Sequence, residues 1–125
     1  MGGLARRATA IKNERQSSKG IVLVLDAGNT LTGAWLTRNT QGAVMVEAMN
    51  AMGYDAMVVG QIDISLGLEQ LKKLGSESKF PFLSANIVSK ANNEPIFTPY
   101  TILERGGKRI AIIGLSDLQA TVPLA

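Results

Sequence analysis

The sequence predicts a single α/β domain with a mostly parallel sheet flanked by helices, and three observations predict it. Residues 21–25 (Ile-Val-Leu-Val-Leu) and 56–59 (Ala-Met-Val-Val) are short unbroken apolar runs, the pattern of strands covered on both faces. Segments of helical period alternate with these runs, so right-handed crossovers should bring successive strands back parallel. Near the C-terminus Gly106 and Gly107 split an apolar stretch in two, which is hairpin chemistry.

The elements follow in order. Leu4, Ala8 and Ile11 recur at helical spacing among Arg6, Arg7, Lys12 and Arg15, giving an amphipathic helix that ends near residues 17–20. After the first strand, Met45, Ala48, Met49 and Met52 mark the buried stripe of a second helix, with Thr40 near its start and Gly53 placed to end it in the left-handed conformation. Thioethers fill irregular gaps under a helix, so the stripe reads as core rather than as a cofactor surface. A third helix follows the second strand: Ser65 is positioned to cap it, Leu68, Leu71 and Leu74 point inward, and Gly75 is expected to stop it. Residues 80–86 (Phe-Pro-Phe-Leu-Ser-Ala-Asn) supply a third strand, 89–94 a polar loop, and 100–104 with 109–114 the hairpin. Trp35 is expected in a loop beyond the first strand, either on an exposed patch or covering the core.

Composition removes several kinds of chemistry. The chain has no cysteine, which excludes disulfides, thiolate nucleophiles and cysteine zinc sites. It has no histidine either, so the commonest transition-metal ligand and the side chain best suited to proton exchange near neutral pH are both missing. No apolar run approaches the roughly 20 residues that a bilayer span needs, and the N-terminal residues lack the apolar stretch of a secretory leader, so the chain reads as soluble and untargeted. Residues 1–19 carry five basic side chains against the single acid Glu14, while the rest of the chain is close to neutral. That first helix offers a weak nucleic-acid or anion surface, but no aromatic residue accompanies it for base stacking. It is read as a solvated face.

Ligands of parallel sheets gather beyond the carboxyl ends of the strands. Here that edge should carry Asp26 to Asn29, Gly60 to Asp63, Asn86, and Ser116 with Asp117. Asp26, Asp63 and Asp117 are candidates to converge on a hard cation. The competing reading has Asp26 accepting hydrogen bonds from its own turn and Asp63 serving a helix start. Residues 28–33 (Gly-Asn-Thr-Leu-Thr-Gly) would suit a phosphate cradle, but they lack the lysine and hydroxyl that complete a P-loop, so a turn is the expected role.

These edge segments, in this order, resemble the N-terminal catalytic domain of the 5'-nucleotidase and 2',3'-cyclic phosphodiesterase branch of the calcineurin-like metallophosphoesterases. Residues 2–6 (Gly-Gly-Leu-Ala-Arg) are similar to that family's helix opening, 25–29 (Leu-Asp-Ala-Gly-Asn) to its "LDAGD" turn, and 49–57 (Met-Asn-Ala-Met-Gly-Tyr-Asp-Ala-Met) to its "MNALGYDAM" segment. Residues 80–86, Pro99 with Tyr100, and 108–115 (Lys-Arg-Ile-Ala-Ile-Ile-Gly-Leu) extend the likeness over nearly the whole chain. The resemblance implies that residues 1–125 form a partial domain of an α/β/β/α sandwich. It also implies that activity, where present, is hydrolysis of nucleotides or related phosphate esters with divalent Mn, Mg or Zn.

The positions that carry this chemistry in the family differ here. The aspartate that closes "LDAGD" bridges two metal ions, and its place is taken by Asn29, which brings an oxygen but no charge. The family's "GNHE" reads Gly60-Gln61-Ile62-Asp63. Gln61 keeps the metal-binding amide on a longer stem, and Ile62, at the proton-donor position, can neither give a proton nor hold a metal. The family's other metal motifs precede the first helix or follow the last strand of this chain. The sequence therefore predicts a non-catalytic binding or structural module of pseudoenzyme or remnant type, with no cofactor. A protein partner or self-association would cover the sheet edges left bare by the partial domain. A fragment or subunit of a metal-dependent nucleotidase is the alternative. Relatives of this kind are often periplasmic or extracellular.

Overall fold

A computed structural model describes residues 3–117. Three strands pair in parallel, β1 (Leu25–Asp26), β2 (Ala56–Val58) and β3 (Phe82–Leu83), in the order β1-β2-β3 with Leu25 opposite Ala56 and Met57 opposite Phe82. Helix α1 (Leu4–Ser17) precedes β1, α2 (Trp35–Asn39) and α3 (Ala43–Met52) link β1 to β2, and α4 (Gln61–Ile64) and α5 (Leu68–Glu77) link β2 to β3. Strands β4 (Tyr100–Arg105) and β5 (Lys108–Ile113) form an antiparallel hairpin closed by Gly106 and Gly107. Both glycines have positive φ, 55° and 74°, which a two-residue turn of this hand requires. The predicted α/β architecture and hairpin are both present.

One core explains most of the arrangement. Met45, Met49 and Met52 of α3, Leu71 and Leu74 of α5, Met57 and Phe82 of the sheet, and Val59 and Phe80 beside its strands are buried together, and Leu4, Ala8 and Ile11 of α1 pack on their rim. Side chains alternate along a strand, so Met57 and Phe82 face these helices while Ala56, Val58 and Leu83 face the other way. The methionine stripe is core, as its spacing indicates. Gly53 ends α3 with φ 72°.

Several boundaries differ from the sequence reading. The first strand is confined to Leu25–Asp26, and it is not covered on both faces, because Leu25 and Ile21 are exposed. Thr40 closes α2 rather than opening α3, with Gly42 as the N-cap of α3. Ser65 donates to Ile62 O at the end of α4, while Gly67 opens α5 and Gly75 lies within it. Trp35 is the first residue of α2 and 78% exposed, so it covers no core.

The face opposite the helices holds a trench of 380 Å³ lined by Leu25, Ala56, Val58 and Leu83 on the sheet and by Ile112 to Leu115 at the end of β5. Its lining is mostly apolar, with Asp26 the one charged residue in it, and its rim is bare: Ile113 is 66% exposed and Leu115 69%. Among the described residues no helix is long and apolar enough to cross a membrane.

Arg15 has a structural role that its place in a basic helix conceals. Its guanidinium donates to Met52 O and Gly53 O at 2.6 Å each, closing the carbonyl end of α3 and tying α1 to it. Arg15→Ala should therefore lower stability by about 1–2 kcal/mol, read as a shift of the urea midpoint. A change within experimental error would mean that the contact contributes nothing.

Candidate functional site

Each predicted edge segment lies at the carboxyl end of its strand, and two hydrogen-bonded networks tie these ends together. The first centres on Asp63, the third residue of α4, whose side chain is wholly buried. Its carboxylate accepts from Asn29 N at 2.7 Å, Thr30 N at 3.0 Å, Leu31 N at 2.8 Å and Gly60 N at 2.9 Å. Burial pushes this carboxyl above the ordinary aspartate range, and the N–H groups of Leu31, Gly60, Asn29 and Thr30 pull it back less strongly. All four donors suit the ionised form, which only accepts.

Asn29 answers from the opposite loop. Its Oδ1 accepts Ile62 N at 2.8 Å, and its backbone takes the left-handed conformation at φ 59°, which asparagine tolerates better than most residues. The two loops approach so closely that only glycine fits at their crossing: a Cβ on Gly28 would lie 2.7 Å from Gly60 N. Asp26 completes its own turn, accepting Gly28 N at 2.9 Å and the Thr30 hydroxyl at 2.8 Å.

The second network joins β3 to the end of β5. Asn86 Nδ2 donates to Ser116 O at 2.7 Å and its Oδ1 accepts Ser116 N at 2.8 Å, while the buried Ser84 and Ser116 hydroxyls lie 2.8 Å apart. The Ser116 hydroxyl also donates to Val59 O at 2.7 Å, so both networks meet where the chain leaves β2. Asp117 is exposed beside Ser116.

At this edge the structure favours the turn and helix-start readings over the ligand-binding ones. Asp26, Asp63 and Asp117 do not converge on a cation: Asp26 is turned into its own loop and Asp63 inward, and among the described residues no three acidic side chains gather. The loop at residues 28–33 is not an open phosphate cradle, because Asp63 already fills the N–H groups of residues 29–31. Gln61 is half-buried at the start of α4, and Ile62 beside it is 49% exposed. Sequence reasoning missed the shared roles of Thr30, Ser84 and Ser116. The one sequence signal for the first network was an aspartate three residues after the glycine that begins a helix, half of a capping box.

No family model matches the chain. A snake venom 5'-nucleotidase of Naja atra is 38% identical over 97% of this chain and 24% of its own length. Among solved structures, the sulfate thiohydrolase SoxB of Thermus thermophilus superposes with a TM-score of 0.83 at 32% identity, covering 93% of this chain and 22% of that one. The calcineurin-like phosphoesterase YfkN of Bacillus subtilis gives 0.76 at 26% identity, covering 94% and 41%. The chain belongs to the 5'-nucleotidase branch of the metallophosphoesterases. It represents a partial segment, spanning about a quarter of the venom relative's length.

The metallophosphoesterase resemblance implies a two-metal centre, and the donors of this segment can be tested against it. Such a centre clamps two cations between converging charged ligands. At the bridging position stands the neutral Asn29, whose oxygen already takes an N–H group. Asp63 at the glutamate position faces the interior. As folded, Asn29 brings no charge and the Asp63 carboxylate is taken up by backbone N–H groups, so neither presents a free charged oxygen at this edge.

Proposed function

We propose that this segment belongs to a nucleotidase-derived module that no longer hydrolyses phosphate esters and serves as a binding or structural unit. One observation carries the reading. The Asn29 oxygen that should face metal instead receives Ile62 N–H, and the side chain beside it, at the family's proton-donor position, is an exposed isoleucine. No group within this site is free to deliver a proton to a leaving oxygen.

The bare trench on the second sheet face supports the structural part of the proposal. Leu25, Ile113 and Leu115 suit contact with protein rather than with water, and the relatives supply three to four times more chain than this segment holds. The nucleic-acid reading loses support, since Arg15, one of the arginines it needs, is engaged by α3.

The retained frame favours a second reading, a segment of a metal-dependent nucleotidase whose ligands come from elsewhere in the protein. One assay separates the two. The full-length protein is given a nucleoside 5'-monophosphate and an aryl phosphate diester with Mn, Mg or Zn, and phosphate or phenol release is followed. The expected result is release no faster than in the protein-free blank. Release that depends on the metal and stops with EDTA would establish the enzyme reading.

A further inference from the structure

The loops at residues 28–31 and 60–63 leave neighbouring strands, and each supplies what the other lacks. Three successive N–H groups, those of Asn29, Thr30 and Leu31, converge on one point, the geometry of an anion nest. The anion in it is the carboxylate of Asp63. In return, Asn29 Oδ1 satisfies the N–H of Ile62 in the second loop. Gly28 and Gly60 allow this approach, and no room remains between the backbones for a side chain.

We propose that Asn29 and Asp63 form a metal-independent clasp that holds the two strand-end loops in place. The clasp occupies the donors and acceptors by which these loops would otherwise bind a ligand. Asn29 has its oxygen directed to Ile62 N, so a cation would have to share that atom with an N–H group. An external phosphate would have to displace Asp63 from three N–H groups. This inference concerns how the loops are held and does not depend on whether the full protein turns over a substrate.

Hydrogen exchange on the full-length protein reads the clasp directly. The amides of Thr30, Leu31 and Ile62 should exchange at least ~100-fold more slowly than the exposed loop amide of Asn92, equally in EDTA and in excess Mn. Fast exchange, or protection that appears only with Mn, would overturn the proposal. Asp63→Ala should lower the thermal midpoint by about 5 °C or more. Acetate or formate, which can enter the emptied nest, should restore a measurable part of that loss, and chloride at equal ionic strength should not. A midpoint changed by less than about 1 °C, or equal recovery with chloride, would count against the clasp. If the variant does not fold, exchange in the unaltered protein decides.

Discussion

Gly60→Ala should destabilise the protein by about 3 kcal/mol, more than most surface substitutions do. The backbone of Gly60 has φ near −85°, which alanine adopts freely, so the loss would not come from conformation. It would come from space. A methyl carbon there would overlap Asn29 N and the Asn29 amide oxygen, and it would lie 2.8 Å from Asn29 Cγ. Relief requires separating two loops that Asp63 holds together, so packing and hydrogen bonding are lost at once. Gly75→Ala provides the contrast, since its Cβ would meet the Phe82 ring at an ordinary 3.8 Å inside α5. That change should stabilise by about 0.5–1 kcal/mol through helix propensity. Urea denaturation of both variants tests the pair, and similar midpoints would mean that the loops part easily.

Other glycines show what the sequence made legible. Gly106 and Gly107 announced their turn because the signal is local, two adjacent residues that must take positive φ between apolar strands. The methionine spacing in α3 was likewise readable, since helical period is a property of neighbours in sequence. Gly75 was misread as a stop because glycine commonly ends helices, whereas here the helix runs on to Glu77 with Phe82 packed against it. Helix α4 has four residues, too few to show a period. Asp63 and Arg15 were opaque for a different reason. Their partners lie 34 and 37 residues away, in segments brought near only by the sheet and by packing of α1 on α3. Local pattern placed Asp63 at a helix start, and only the folded chain shows its carboxylate gathering the opposite loop. Asn86 was legible as an edge residue, but its pairing with Ser116 depends on β5 returning beside β3.

Ile113→Asp should behave differently in two settings, and the difference tests whether the trench is covered. In the segment taken alone, Ile113 is 66% exposed, so a carboxylate there stays in water and should change stability by no more than about 0.5 kcal/mol. In the full-length protein, where the proposed function has further protein seated on this face, the same carboxylate would be taken out of water without a partner. The expected loss is then about 2–4 kcal/mol, measured by chemical denaturation. Val88→Asp is a suitable control, being a second exposed apolar residue that does not line the trench, and it should be mild in both settings. Equal, small effects of Ile113→Asp in both settings would mean that the face stays bare in the whole protein. The trench would then be an open surface, and the structural role assigned to this segment would lose its support.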